Sequence, residues 1–464
     1  MVSRVRPLAP VPPEQLAYAL ARYSRSADSI VQSLEWVAAR DSGKFLESFY
    51  FDYGHASIAD LGHLAICFEG ISELAATEIE DEPLWDGQAK SSRYQDFARM
   101  GVVTPPELEG APAGLTEAYQ KAAQELISAY RGLHEAMVAW LTERLPRPES
   151  MKPESYQRNL RARAFDVARY LLPFGVPTNI GQITSIRTLE RQLRRWYASP
   201  FAELRELAGE TAQAIQAPHA APTLAKYLTA DEHARTARRD LAAWAAANLQ
   251  VPPLEVDEVD LLRPDDPVSE IVATLLYPVT AHPFRALYET VRAWPEARRS
   301  EVLEVALRSR TRHDDLLREF RGSVFIYDLV LDIGAYRDLH RHRRCHQARQ
   351  AYGWTLGSAE PEVVAAIGFQ SRYRQAIAAA RHVAEQLPPP AGQYLLPFAH
   401  RVRCLFKMDF AEAEYIAKLR SGVKGHFSYR RVAWLMRERM LALEPALGRL
   451  IKATPPWEED PLTR

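Results

Sequence analysis

The chain has 464 residues, which exceeds the size at which a single hydrophobic core usually stops growing, so at least two domains are expected. Apolar residues make up 47% and charged residues 25%, a balance typical of globular proteins that fold in water. The 58 basic and 59 acidic residues nearly cancel, which argues against a protein whose main task is to bind the backbone of DNA or RNA.

The cysteines and the N-terminal segment predict a reducing, cytoplasmic location. Cys67, Cys345 and Cys404 are odd in number and widely spaced, and they form no C-x-x-C pair. Residues 1–13 are rich in proline and lack the apolar centre of a secretory signal. We find no uncharged apolar run of about 18 residues, so no membrane-spanning helix is expected.

Apolar spacing and proline positions predict the elements of the first half in chain order. These are a helical stretch over 14–40, a short buried strand over 63–69, a helix over 73–80, a loop at 104–106, and helices over 115–145, 156–172 and 185–206. Proline-rich stretches at 218–222 and 252–267 are the predicted linkers.

The second half is predicted to contain a strand over 323–333, an Arg- and His-rich helix over 335–350, a long helix over 361–387 and a helical stretch over 409–437. Strands that alternate unevenly with long helices predict a mixed α+β architecture. Neither the G-x-G-x-x-G fingerprint nor the P-loop motif occurs, so the common dinucleotide and NTP folds are not supported.

The pentapeptide Tyr-Leu-Leu-Pro-Phe occurs twice, at 170–174 and at 394–398, and each copy precedes an Arg- and Glu-rich helical stretch. A repeat at nearly half the chain length predicts two diverged copies of one domain of ordinary size. We place the first copy at 14–216, a linker region at 217–267 and the second copy at 268–452.

The most basic segment, 337–349, reads R-D-L-H-R-H-R-R-C-H-Q-A-R. On a helix, Arg337, Arg341 and Arg344 would share one face, and forked guanidinium groups suit a diphosphate. A solvated basic face is the competing interpretation. A zinc site built on histidines and Cys345 is a weaker one, because the segment supplies no fourth ligand.

Three further groups of polar residues are candidates for binding an anion. Ser91 and Arg93 could both donate to one phosphate, although a surface turn explains the same pattern. Arg169 ends a predicted helix, where it either contacts a ligand or interacts with the helix dipole. The arginines of 187–195 recur at three- and four-residue spacings, which is also typical of a salt-bridged surface helix.

Taken in order, these motifs resemble those of the flavin-dependent thymidylate synthases. The first half carries the family's Gly-His pair as Gly54-His55, S-x-R-Y at 91–94 and A-R-x-x-L-P at 168–173, but it has Asp81-Glu82-Pro83 where the family has R-H-R. The second half keeps R-H-R at 341–343 and L-R at 419–420, and it lacks S-x-R-Y. The resemblance covers most of the chain, and each half is incomplete.

The resemblance implies two tandem copies of a mixed α/β domain, in an α+β fold, with roles for particular residues. The residues implied to hold FAD are His55, Arg341, His342 and Arg343. The residues implied to hold deoxyuridylate are Ser91, Arg93, Arg169, Arg187 and Arg420, with Arg195 as the candidate catalytic residue.

The family's reaction is the reductive methylation of dUMP to dTMP, with methylene-tetrahydrofolate as carbon donor and NADPH as reductant. Family members are homotetramers that share active sites between subunits. Since the two halves keep different motifs, the resemblance implies one composite site per chain and a homodimer that forms a pseudo-tetramer. The expected partner is therefore a small nucleotide, and neither a nucleic acid nor a membrane is expected.

Two alternatives remain. The glutamine by which the family reads the uracil is Glu78 in one half and Asp338 in the other, which favours a catalytically altered or inactive homologue that binds flavin or nucleotide. The other alternative is an RNA-binding helical protein that uses 337–349, and the near-zero net charge counts against it.

Overall fold

The structure is a computed structural model. It describes residues 11–23, 26–48, 56–92, 97, 101–112, 114–262, 264–311, 317–320, 325–342, 345–449 and 451–459. The chain divides into two compact units, and each unit is assembled from separate segments. The first unit comprises Met1–Glu69, Leu84–Ala89 and Asn179–Glu232, and the second comprises Gly70–Pro83, Lys90–Thr178 and His233–Arg464.

The first half of the described chain contains three strands and ten helices. The helices are α1 Pro13–Tyr23, α2 Ile30–Ala38, α3 Ser42–Leu46, α4 Ala56–Ala59, α5 Glu73–Glu80, α6 Leu115–Arg144, α7 Pro153–Ala168, α8 Ile186–Tyr197, α9 Ala202–Ala214 and α10 Pro222–Tyr227. The strands are β1 His63–Ser72, β2 Asp86–Ala89 and β3 Pro177–Ser185.

The remaining described residues contain four strands and eleven helices. The helices are α11 Glu232–Asn248, α12 Pro267–Leu276, α13 Phe284–Arg292, α14 Glu296–Leu307, α15 Ile333–Leu339, α16 Glu362–Ala366, α17 Gln370–Ala384, α18 Pro389–Gln393, α19 Phe410–Ser421, α20 Phe427–Leu443 and α21 Pro445–Gly448. The strands are β4 Val259–Leu262, β5 Phe325–Asp332, β6 His346–Arg349 and β7 Arg401–Met408. The mixture confirms the predicted α+β class.

The first unit contains a three-stranded sheet in the order β1-β3-β2. Strands β2 and β3 are antiparallel, with Asp86 opposite Ile183. Helix α8 begins directly after β3, because the Ser185 side chain accepts a hydrogen bond from the Thr188 N–H and caps the first turn. The apolar face of α8 is buried and includes Trp196, whose ring packs edge-on against Phe68.

The second unit contains a four-stranded antiparallel sheet in the order β4-β5-β7-β6. The central strand β5 is buried along nearly its whole length, and it pairs with β7 from Phe325–Met408 to Asp332–Arg401. Helices α11 to α14 pack into one hydrophobic core with Ile326 of this sheet. At the end of β5, the Asp332 carboxylate accepts a hydrogen bond of 2.8 Å from the Ala335 N–H and starts α15.

Two predicted helices of the second half were wrong in extent. The helix predicted over 335–350 ends at Leu339, and 346–349 form strand β6, in which His346 pairs opposite Lys407 of β7. Sheet pairing therefore overrides the helical spacing of the arginines. The helix predicted over 361–387 is two helices, α16 and α17, which are separated at Gly368, where φ is +72°.

Residues 217–267 contain α10, α11 and β4 in addition to irregular segments. The bounds 14–216 and 268–452 for the two copies stay a prediction. Within the described residues, every helix is too short or too polar to span a lipid bilayer.

Candidate functional site: a buried acid–base cluster

Helices α5 and α15 lie in the second unit and come from opposite halves of the chain. Each begins directly after a strand and is capped by a side chain: Ser72 accepts from the Ala75 N–H at 2.9 Å, and Asp332 caps α15. The two helices therefore start with the same local geometry. The acidic side chains of α5 face basic side chains of α15 and of the residues that follow it.

A buried ion pair of the cluster joins Glu73 and Arg337, with 2.7 Å between an Arg337 nitrogen and a Glu73 oxygen. Their side chains are 0% and 6% exposed. Arg337 also donates a hydrogen bond of 3.1 Å to the Ser92 hydroxyl. Burial raises the pKa of Glu73, although Arg337 opposes the shift. Removing either partner would leave a buried charge without its counter-ion.

At the other end of α5, Glu80 contacts two consecutive residues of the second half. One carboxylate oxygen lies 3.3 Å from His340 Nε2, and the other lies 3.4 Å from an Arg341 nitrogen. Burial raises the pKa of Glu80 to about 7 and lowers the pKa of His340 to about 4. Burial therefore favours the neutral form of both side chains.

Arg169 is 1% exposed and donates to one oxygen of Asp338, at 3.4 Å and 3.3 Å. Its Nε is buried and has no hydrogen-bond partner in the part of the chain that the structure describes. Gly334 at the start of α15 leaves room for this guanidinium, because a Cβ there would lie 3.3 Å from an Arg169 nitrogen. The contact brings the A-R motif of the first half to the helix that precedes R-H-R.

Two further carboxylates of the first half bind bases of the second half. Glu78 lies 2.6 Å from Arg349, and Asp81 lies 2.7 Å from Arg318. Asp81 stands where the resemblance expects the first arginine of R-H-R, so an acid–base pair occupies that position. The first half thus supplies negative charge to a basic region of the second half.

His342 and Arg420, which the resemblance assigned to different ligands, contact each other. Arg420 Nε donates a hydrogen bond of 2.7 Å to His342 Nε2, and a Glu412 oxygen lies 3.7 Å from His342 Nδ1. Because Nε2 accepts, the ring proton is on Nδ1. Burial lowers the pKa of His342, and the nearby Arg420 charge lowers it further, whereas Glu412 opposes the shift.

The other predicted site residues lie as follows. His55, Arg93 and Arg343 are outside the described residues, and so is Arg344. Ser91 is half-buried, next to Ser92 in the second unit. Arg187 and Arg195 belong to α8 in the first unit, where Arg187 forms an ion pair of 2.9 Å with Asp60.

The structure bears on the interpretation of 337–349 as a basic helix. Arg337 is buried against Glu73, and α15 ends at Leu339, so the continuous basic helix on which RNA binding depended does not form. Among the described residues, no group of three or more His, Cys, Asp or Glu side chains is arranged to hold a metal ion.

Sequence reasoning missed the roles of Glu73, Glu80 and Ser92. A usable pattern was present, since Glu73 and Glu80 are seven residues apart and share a helix face, as do Arg337 and Arg341, four residues apart. The pairing of the two faces could not be read from the sequence, because it joins distant segments.

A large cavity of about 740 Å³ also lies in the second unit, within the size range of small-molecule sites. Both halves line it, with Trp140, Arg163 and Tyr170 from the first and Asp332 and Arg401 from the second. Tyr170 donates a hydrogen bond of 3.3 Å to Asp332, and Ser428 also donates to this carboxylate. The cavity thus reaches the N-terminal end of α15.

With this geometry in place, comparison with known families identifies the class of protein. The family described as thymidylate synthase complementing protein matches the chain twice, over residues 9–222 and 280–446. The chain therefore belongs to the thymidylate synthase complementing protein family, as a tandem duplication of two diverged copies. Below, "first copy" and "second copy" denote the two matched parts.

Similar proteins are known from two Chlamydia species and from Thermoplasma acidophilum. A UPF0159 protein of Chlamydia muridarum is 27% identical over 421 residues, which covers 86% of this chain and 79% of the relative. A UPF0159 protein of Chlamydia pneumoniae is 26% identical over 413 residues, covering 85% and 77%. A UPF0159 protein of Thermoplasma acidophilum is 23% identical over 483 residues, covering 93% and 94%.

Among solved structures, thymidylate synthase X from Helicobacter pylori, crystallised with FAD and dUMP, is 17% identical. The match covers 45% of this chain and 90% of that chain, with a TM-score of 0.29. A second structure of the flavin-dependent enzyme from the same organism, also with FAD and dUMP, gives 17% identity and a TM-score of 0.28, with coverages of 44% and 89%. TM-scores this low do not show that the two folds are the same.

Proposed function

We propose that this protein is a flavin-dependent thymidylate synthase-like enzyme that converts dUMP to dTMP at one composite site per chain. The observation that carries the proposal is the contact between Arg169 of the first copy and Asp338 of the second, at 3.3 Å. Two incomplete motif sets thereby supply neighbouring side chains to one place. Family membership supports the same reaction class.

The residues proposed for FAD differ in how well they fit it. Arg341 fits, because its side chain is 27% exposed and its Nε is buried without a hydrogen-bond partner among the described residues. His342 does not fit in this arrangement, since Arg420 occupies its Nε2 and Glu412 lies beside its Nδ1. We therefore propose that Arg341 holds a phosphate-bearing part of FAD. Arg343 and His55 stay proposals for FAD from the resemblance alone.

Bound FAD, reduced by NADPH, would supply the hydride that turns the methylene unit of methylene-tetrahydrofolate into the methyl group. The protein's own task is to hold the nucleotide and to exclude water. We propose that Ser91, Arg93 and Arg420 bind the nucleotide phosphate and sugar, while Arg169 stabilises negative charge on the pyrimidine. A buried arginine suits this role, because a guanidinium in a place of low dielectric stabilises charge strongly without reorganising.

From the resemblance, we propose that Arg187 binds the nucleotide and that Arg195 is the catalytic residue. Both lie on α8 and are half-buried. We also propose a homodimer that forms a pseudo-tetramer in the cytoplasm. Light scattering of the purified protein tests the dimer: a mass near twice 52.5 kDa supports it, and a monomer at working concentration contradicts it.

The ion pairs of the acid–base cluster favour a second candidate function, in which the protein binds flavin or nucleotide without turnover. Glu73, Glu78 and Glu80 place carboxylates against Arg337, Arg349 and Arg341, so the basic region is already partly neutralised. This favours a homologue that binds flavin or nucleotide weakly and does not turn over. It differs from the first candidate in catalysis rather than in fold.

Tritium release from dUMP labelled at C5 separates the two candidates, since only turnover removes the C5 hydrogen. We expect release that depends on FAD, NADPH and methylene-tetrahydrofolate, and at least a hundredfold loss in Arg169→Met. The matched control is Arg158→Met on α7, the helix that ends directly before Arg169. Position 158 is exposed, so release should be unchanged. Absence of release from the wild-type protein, together with binding of dUMP, would favour the second candidate.

A further inference from the structure

The side chains of Glu80 and His340 face each other in a way that requires a proton between them. His340 Nδ1 lies 3.2 Å from the Arg337 carbonyl oxygen, which can only accept a hydrogen bond, so Nδ1 carries the ring proton. In a neutral ring, Nε2 then has only a lone pair. This lone pair faces a Glu80 oxygen at 3.3 Å.

Two acceptors at 3.3 Å repel each other unless one proton lies between them. Water cannot solvate either group, because the side chains of His340 and Glu80 are only 1% and 3% exposed. His340 Nε2 has no hydrogen-bond partner in the described part of the chain, and neither has Glu80 Oε1. A proton on Glu80 Oε2, donated to Nε2, satisfies both groups without creating a buried charge.

The proton on this pair decides how much charge Arg341 presents. When Glu80 is protonated, the contact of 3.4 Å to Arg341 joins a neutral acid to a guanidinium that keeps its full charge. When Glu80 is ionised, the same contact is an ion pair that competes with any anionic ligand. Arg341 is 27% exposed, so a ligand can still reach it.

We propose that Glu80 is a positioning residue that shares a proton with His340, so that Arg341 binds an anionic phosphate only together with that proton. The inference rests on the proposed role of Arg341 toward FAD. It adds that binding takes up a proton and weakens as pH rises through neutrality. The carboxyl of Glu80 touches neither substrate nor cofactor and acts through Arg341.

Other charged groups near Glu80 and His340 also affect whether the Glu80 carboxyl is protonated. The elevated pKa of Glu80, about 7, agrees with a protonated carboxyl near neutrality. Arg341 and Arg337 favour the ionised carboxylate, while Glu73 and Asp338 favour the neutral acid. The further titratable or charged groups that face the pair are Asp81, Glu82, Arg318, Cys345 and His346.

Space for a water molecule lies beside Glu80 and His340. A small cavity of about 20 Å³ is lined by Glu80, His340 and Gln347, among others. This is enough space for one water molecule, which could hydrogen-bond the polar side chains that line it. A buried carboxyl can therefore exchange its proton without unfolding of the helix.

Calorimetric titration of the full-length protein with FAD, in two buffers of different ionisation enthalpy, tests the proposal. We expect uptake of up to one proton per FAD and affinity about tenfold weaker at pH ~8 than at pH ~6. Glu80→Gln should bind FAD with no uptake from this pair and little pH dependence. The matched control, Glu385→Gln directly after α17, removes an exposed ion pair with Arg381 and should behave as the wild type.

The outcomes separate this inference from the proposed function. Failure of the wild type to bind FAD, or undiminished binding by Arg341→Met, would overturn the proposed cofactor role. FAD binding through Arg341 without proton uptake would overturn the proton linkage alone. Infrared spectra decide the protonation of Glu80 independently of FAD. A protonated-carboxyl band should vanish in Glu80→Gln and persist in Glu385→Gln, and a band unchanged in both variants contradicts the proposal.

Discussion

The guanidinium of Arg169 donates two hydrogen bonds, of 3.4 Å and 3.3 Å, to a single carboxylate oxygen of Asp338. Arg169 follows the last helix before the first Tyr-Leu-Leu-Pro-Phe segment, and Asp338 lies three residues before R-H-R in the second copy. The contact joins the two copies within one compact unit. It also places a carboxylate where the resemblance expects a glutamine.

We predict that Arg169→Met lowers the free energy of unfolding of the second unit by about 3 kcal/mol, because it removes a buried cation that interacts with both Asp338 and Asp332. Urea unfolding measures the change. In the double variant with Asp338→Asn, the loss should be smaller than the sum of the single losses. Strict additivity would show that the two side chains do not interact.

The matched control for this pair is Arg187→Met in α8. Arg187 and Asp60 are 30% and 37% exposed, and surface ion pairs contribute under about 1 kcal/mol. A loss at Arg187 as large as that at Arg169 would contradict the role assigned to burial.

A second prediction concerns the protonation of His342. Removing the charge of Arg420 in Arg420→Met should raise the pKa of His342, because the burial that lowers it is no longer reinforced by a neighbouring cation. In Glu412→Gln the same pKa should fall further. NMR titration of the imidazole resonances measures both changes, and Lys418→Met on the same helix, an exposed residue paired with Glu414, should leave His342 unchanged.

A third prediction concerns stability against pH. The pKa of Glu80 rises on folding from 4.5 to about 7, so the folded state binds the extra proton and the contribution of Glu80 to stability falls as pH rises through this window. The pKa of His340 falls from 6.5 to about 4, so its contribution rises with pH between these values. The two effects oppose each other in the wild type.

Glu80→Gln removes only the first effect. Its stability relative to the wild type should therefore increase between pH 4.5 and about 7, by up to about 3 kcal/mol, which is the free energy of a shift of this size. Chemical unfolding at a series of pH values measures the difference. Glu78→Gln is the control, and an equal increase in that variant would contradict the assignment to Glu80.

The local elements of the fold were largely predictable from the sequence. Helix α5 was predicted at its observed bounds, since proline at position 83 cannot continue it, and α6 was predicted within one residue of its end. The repeated pentapeptide correctly indicated a duplication. These features depend on neighbours in the chain, which the sequence displays directly.

The contacts that build the site were not predictable in the same way. Residues 346–349 end the Arg- and His-rich segment that was predicted as one helix, and they form a strand instead because they pair with β7. Glu80 of α5 contacts His340 and Arg341, which directly follow α15, so this contact joins the two copies. A local sequence pattern cannot predict which acidic residues will contact which basic residues across such a distance. Tertiary packing decides both outcomes.

The proposal that the two copies form one composite site, which binds FAD through Arg341, is tested most directly by visible absorption. The spectrum of the purified protein is recorded during titration with FAD, with and without dUMP. We predict a flavin spectrum that shifts on binding, one FAD per chain, a further change with dUMP, and loss of binding in Arg341→Ala. A protein that stays colourless after incubation with FAD and removal of the excess would contradict it.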